Sequence, residues 1–185
     1  MRSITMSLAL GLAVLAVRPA VADDIHDALG QAESAYSSGD YGRAKRAADL
    51  ASTLLGQLFA EQLAKVLPAA LDGWTVEDST SAGDVIFGGG VETQRTYVNA
   101  QDQRVLVQLI ADSPMVAQMA GLFANPAMAA SLGKLVRIKD QQGVVTDQGD
   151  YQMVVDNRFM VTVTGDAPTE AKKAYAEAID LSSLK

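Results

Sequence analysis

The chain has 185 residues, no cysteine and one histidine, and its 15 basic and 22 acidic residues give a net charge of −7. Without thiols there is no cysteine nucleophile, no CxxCH haem attachment and no cysteine-ligated zinc. An acidic surface disfavours nucleic acid and anionic membrane surfaces, and the length fits one domain, or a domain with an appendage, that needs no staples.

Residues 1–22 read as a secretory signal peptide. Arg2 supplies the positive end, Ile4 to Val17 is apolar and uncharged, and Ala20-Val21-Ala22 offers a small-residue cleavage site before Asp23-Asp24. The apolar run is too short to span a bilayer, and no cysteine follows it to carry a lipid anchor. The pattern predicts a mature chain of residues 23–185 in the periplasm, with no transmembrane segment.

Residues 23–67 read as an α-helical hairpin, with helices over about 25–37 and 41–67 broken at Ser38-Gly39-Asp40. Ala32, Ala35, Tyr36, Gly39, Asp40, Tyr41, Ala44, Ala48 and Ala51 resemble one tetratricopeptide repeat, which implies helices approaching closely through alanines. The likeness covers about 34 residues and departs from the pattern in three places. Leu29-Gly30 is out of phase, the closing proline near Gly56 is absent, and no second copy follows. The segment therefore reads as an isolated, TPR-like hairpin rather than a peptide-binding array. Leu54, Leu55, Leu58, Phe59, Leu63 and Val66 form an apolar stripe on the second helix, suited to the core, to a partner helix or to a membrane surface. Leu67-Pro68 ends it.

Residues 68–185 read as an α+β domain. Trp74–Asp78 is a first strand, Ser79–Asp84 a polar turn, and Val85-Ile86-Phe87 an apolar stretch before Gly88-Gly89-Gly90. Val91–Val98 alternates as a strand, and Arg104–Asp112, apolar on both faces, is the central strand. Ser113-Pro114 opens a helix with Met115, Val116, Met119, Leu122 and Phe123 on one face. Asn125-Pro126 interrupts it, and a short second helix runs to Leu132. Strands follow at Lys134–Lys139, Gly143–Thr146, Tyr151–Val155 and Phe159–Val163, with turns at Asp140-Gln-Gln, Asp147-Gln-Gly-Asp and Asp156-Asn-Arg. Asp166-Ala-Pro-Thr opens the last helix, and Leu181–Lys185 reads as a frayed tail. Strands in runs with segregated helices predict a mostly antiparallel sheet with two helices covering one face.

The chemistry-bearing residues form no familiar set. A hydrolytic triad would have to use His26 in the hairpin, and neither GxSxG nor SxxK occurs. The acidic turn Asp147-Gln-Gly-Asp150 could hold calcium, although it lacks the EF-hand spacing. Met115, Met119, Met128, Met153 and Met160 serve either as gap-filling core or as copper(I) ligands. The three glycines are followed by no Lys-Ser/Thr and open no helix, so they are not a phosphate loop. Glu77, Asp78, Asp84, Glu92 and Asp112 could pair as catalytic carboxylates, but one Trp, five Tyr and four Phe are few for a sugar cleft. Arg95, Arg104, Arg137 and Arg158 would make a cationic patch if they shared a sheet face. Otherwise they pair with Glu92, Asp102 and Asp156.

Leu67-Pro68, Gly73-Trp74, Arg95-Thr-Tyr97, Ile110–Met115 and Lys134–Ile138 resemble an uncharacterised family of small secreted proteobacterial proteins. The strand order is similar to PsbP/Mog1-type α+β domains, a likeness that carries no function with it. The expectation is a non-enzymatic periplasmic interaction or accessory protein without a cofactor, whose partner is another periplasmic protein. The alternative is a carrier of a small apolar or anionic ligand held between sheet and helices. In either case the candidate patch is Trp74, Arg95, Arg104, Met115, Met119 and Arg137. An enzyme would need a cleft with converging carboxylates.

Overall fold

A computed structural model describes residues 19–83 and 90–184. The apolar run Ile4–Val17 of the expected leader lies outside the described residues, as do Val85-Ile86-Phe87 and the first two of the three glycines. The chain divides into two compact units, one up to Ala51 and one from Ser52 onward.

The first unit is a helical hairpin. Helix α1 spans Pro19–Ser37 and α2 spans Tyr41–Leu63, so α1 runs through the expected cleavage point after Ala22. The turn between them is built by two residues. Gly39 takes a left-handed φ of 79°, its N–H donates to Tyr36 O, and Asp40 N–H donates to Ala35 O. These two bonds are a Schellman closure. Asp40 then caps the next helix, because its Oδ1 accepts from Arg43 N–H at 3.0 Å. Within this unit Ile25, Ala28, Ala35, Ala47 and Ala51 are buried, mostly small side chains.

The second unit is an α+β domain on a seven-stranded sheet. Its strands are β1 Trp74–Gly83, β2 Val91–Asn99, β3 Arg104–Ala111, β4 Lys134–Ile138, β5 Gln141–Val145, β6 Tyr151–Val155 and β7 Phe159–Thr164. They lie in the order β1-β2-β3-β7-β6-β5-β4, and all six pairings are antiparallel. Helices α3 (Pro114–Phe123) and α4 (Pro126–Leu132) connect β3 to β4, and α5 (Thr169–Ala178) follows β7.

Period-two alternation assigns the faces. One face carries Tyr97, Val105, Val107, Leu109, Met153, Val161 and Val163, all buried. It packs in a single cluster with Tyr175, Ala176 and Ile179 of α5, and with Ala60, Leu63, Val66 and Leu67 at the end of α2. Those four residues explain why the division falls inside α2 rather than at Pro68. The last turns of α2 complete the sheet's core.

The opposite face meets α3 and α4 over β4 to β7, where Val116, Ala120, Ala129 and Val144 are buried. The expectation that both covering helices lie on one face is thus corrected. The connection after β3 passes over one side of the sheet and α5 returns over the other, so each face of β6 and β7 meets a helix. Over β1–β3 the second face stays half-exposed. On this face Thr80, Gln94, Gln108, Thr162 and Gln152 form an uncharged polar row that runs from β1 through β2 and β3 on to β7 and β6.

Three local expectations also change. Ser79–Gly83 is strand, not turn, because β1 is an edge whose exposed positions need no apolar residue. The turn after β4 is only Lys139-Asp140, and Gln141 already belongs to β5. Leu181–Leu184 is a 3₁₀ turn with both leucines buried, not a frayed tail. The tight turn at Asp156-Asn157 is present: both residues have positive φ, and Arg158 N–H donates to Val155 O.

Helix α3 opens where the sequence places it, with Ser113 Oγ accepting from Met115 N–H at 3.2 Å ahead of Pro114. Ser113→Ala should cost about 1 kcal/mol of stability, read as a Tm lowered by a few degrees in thermal unfolding.

Candidate functional site

Trp74 and Arg95 belong to a strap, not to an open site. The Arg95 guanidinium donates to three carbonyls, Ala64 O at 3.3 Å, Leu67 O at 3.2 Å and Pro68 O at 3.0 Å. It thereby closes the carbonyl end of the chain leaving α2. Tyr97 Oη donates to Pro68 O at 2.6 Å, and Leu71 N–H donates to Tyr175 Oη at 3.2 Å. Trp74 meets Tyr175 edge-on at 5.5 Å, and Tyr175 in turn lies 4.2 Å from the Tyr97 ring. Burial pushes the Tyr97 phenol up to about 12, against the opposing pull of Arg95. Burial also raises Tyr175.

The arginines are not gathered. Arg104 holds Glu77 with two 2.8 Å bonds, and Arg158 holds Asp112 at 2.9 and 2.8 Å while lying over the Phe159 ring. The Arg104 hydrogen bonds draw the Glu77 carboxyl below its usual range. Arg95 points to the α5 face and Arg104 to the other. Arg137, on β4, is four strands from β3, about 19 Å at ordinary strand spacing. It is exposed and makes no hydrogen bond or ion pair among the described residues. The carboxylates are equally dispersed: Glu92 accepts from Gln108 Nε2, Asp78 from the N–H of Ser79, and Asp84 lies outside the described residues. Among the described residues no three His, Asp or Glu side chains converge on a metal position.

The acidic turn Asp147–Asp150 already holds a cation, and it is a side chain. Lys172 of α5 is 2% exposed. Its ammonium donates to Gln148 O at 2.8 Å, Asp150 Oδ1 at 2.7 Å and Gly165 O at 3.2 Å. Three donors meet three oxygens, so one of the turn's two carboxylates and one of its carbonyls are taken by an internal ammonium.

His26 lines a shallow groove of about 460 Å³ in the hairpin unit with Asp27, Gly30, Gln31, Ser34 and Arg43. His26 and Ser34 are eight residues apart on one helix, about 12 Å of rise, so they do not form a nucleophile–base pair. The methionines scatter as well. Met153 is buried on the α5 face, whereas Met115 and Met119 sit on α3 at the other. The sheet therefore stands between Trp74 and Met115/Met119, and these residues cannot wall one ligand pocket.

What remains is a surface. Residues 113–133, which form α3, α4 and their flanks, contain no charged side chain. Met115 is 41% exposed and Met128 45% exposed, with Ala117, Gly121, Ala124 and Ala127 open beside them. The surface continues to β4, where Leu135 is 40% exposed. Gln142 lines both a small pocket against Ala120, Phe123 and Ala124 and a groove of about 310 Å³ along Leu135, Val136 and Arg137. The sequence reading found Met115 and Met119 but missed Met128, Leu135 and the continuity of the patch. The signal was present as an absence, the missing charge from Ser113 to Gly133 in an acidic chain.

Comparison with protein-family models, curated proteins and solved structures gives no match.

Proposed function

We propose that the protein is a non-enzymatic interaction module, exported to the periplasm, that docks another protein on its α3–α4 face. The observation that carries this reading is the exposed, charge-free surface of residues 113–133. One residue in five of the whole chain is charged, so a stretch of this length would ordinarily hold about four charges, as solubility favours. Charge is depleted and methionine enriched at the centres of protein interfaces, and large uncharged exposed patches mark them. The small side chains on the outer side let a partner backbone come close. The occupant is a protein surface that is itself uncharged at its centre. Arg2, Ile4–Val17 and Ala20-Val21-Ala22 support the compartment. The TPR-like alanine spacing of the hairpin supports an interaction role for the first unit.

Benzoylphenylalanine placed singly at Met115, Met128 and Leu135, with Thr75 and Asp166 as controls, tests the reading in cells. One discrete adduct from the first three positions and none from the controls is the expected result. Adducts at all five, or at none, overturn it.

A further inference from the structure

We infer that the free edge of β4 accepts an extended acidic segment of the partner as an eighth strand. The inference rests on the interaction reading of the same corner and names the chemistry of what binds there.

Strand β4 ends the sheet, and among the described residues no strand lies beyond it. Its register with β5 fixes which backbone groups are free. Ile138 faces Gln141 across the two-residue turn Lys139-Asp140. The pair that closes a two-residue hairpin exchanges both of its hydrogen bonds, and the pattern alternates from there. Ile138, Val136 and Lys134 therefore bond to β5, and the N–H and C=O groups of Leu135 and Arg137 point outward. That leaves two donors and two acceptors, the repeat unit of an antiparallel ladder.

The side chains beside this edge select what joins it. Leu135 and Arg137 are two residues apart and share one face, against Gln142, along the open groove. An extended segment bonded to their backbone would set an apolar side chain next to Leu135 and, two residues away, a carboxylate next to Arg137. Lys134 and Arg137 are both exposed, and neither has an ion-pair partner among the described residues. The edge is thus locally cationic on a protein of net charge −7. The opposite edge differs: on β1 Glu77 is already paired with Arg104, Asp78 adds a negative charge, and a bulge between Val76 and Asp78 is a device that blunts pairing.

A second copy fits less well. A two-fold pairing of β4 with itself about Val136 would bring both Arg137 side chains onto one face as diagonal neighbours, with no carboxylate supplied. An acidic strand removes that repulsion, and strand addition of this kind takes affinity from main-chain bonds and specificity from alternate side chains.

The test uses the full chain and a capped peptide, acetyl-Ser-Thr-Asp-Thr-Ile-Thr-Ser-amide, with a control in which Lys replaces Asp. Binding is followed by amide chemical shifts and by hydrogen exchange. The expected result is saturable binding with new exchange protection at the Leu135 and Arg137 amides and little change at Val136, which is already bonded. Arg137→Glu should weaken the acidic peptide at least about tenfold and reverse the preference towards the lysine peptide. Thermal unfolding of Arg137→Glu should match the parent, since the side chain is exposed. The inference is overturned by no binding at millimolar peptide, by equal binding of the two peptides, or by binding without protection of those amides. Protection that rises with protein concentration alone also overturns it, in favour of a second copy. Crosslinking from Met115 and Met128 is independent of this edge, so strand addition can fail while the docking reading stands.

Discussion

Asp150→Ala is expected to destabilise the sheet unit by about 3–5 kcal/mol, the largest effect of any side-chain truncation outside the apolar core. The reason is what it leaves behind. The Lys172 side chain is 3% exposed and that of Asp150 is 16% exposed. Removing the carboxylate leaves an ammonium sealed from water with only Gln148 O and Gly165 O for company. Lys172→Met should cost less, because the orphaned carboxylate has some contact with solvent and methionine refills the volume. The double variant should be more stable than Asp150→Ala alone, since it removes the uncompensated charge along with its partner. Urea unfolding followed by the fluorescence of Trp74 gives the three midpoints at constant slope. If Asp150→Ala costs less than Lys172→Met, burial of the ammonium is not what makes the pair matter.

The same pair shows what the sequence can and cannot display. Asp147-Gln-Gly-Asp150 is visible as an acidic turn, and its calcium reading is chemically sensible. Lys172, which fills it, is 22 residues away on a helix whose other lysine is exposed, and nothing local marks one of the two as buried. Arg95 raises the same difficulty. It sits in an alternating strand, yet it faces inward and is held by carbonyls some 30 residues earlier. Local rules did work where local geometry decides. Gly39-Asp40 turns the hairpin, Ser113-Pro114 starts α3, and Asp156-Asn157 reverses β6 into β7. The alternation of β2, the apolar run of β3 and the turn-bounded apolar segments of β6 and β7 located the sheet and an α+β fold. Alternation failed for β1 at Ser79–Gly83, where an edge strand with polar exposed positions looks like a turn. Which face each helix covers depends on the path of the connection after β3, and alternation carries no information about that path. The candidate patch mixed residues from both faces for this reason. Of its residues, Met115, Met119 and Arg137 lie on the one side of the sheet where α3, α4 and β4 adjoin.

Raising the pH from 10 to 12 should remove about 2 kcal/mol of stability through Tyr97 alone. Its phenol is fully shielded from solvent and donates to Pro68 O, and burial pushes its ionisation up to about 12. The unfolded phenol ionises near 10. Between those values the folded state binds a proton that the unfolded state has released, so stability falls as pH rises. The contribution is fully present below pH 10 and gone above about 12. Burial raises Tyr151 and Tyr175 as well, which steepens the decline in the same direction. Tyr97→Phe separates the two roles of the hydroxyl. Near neutral pH it should cost about 1 kcal/mol, because Pro68 O loses its donor in a buried place. In alkali it should lose stability more slowly than the parent, because one raised ionisation is gone. The parent's lead of about 1 kcal/mol in urea unfolding should therefore vanish and reverse sign between pH 10 and pH 12. A constant difference across that range would mean that Tyr97 ionises alike in both states and that the Pro68–Leu71 strap is open to water. The strap would then not be the seal that joins the end of α2 to the sheet's core.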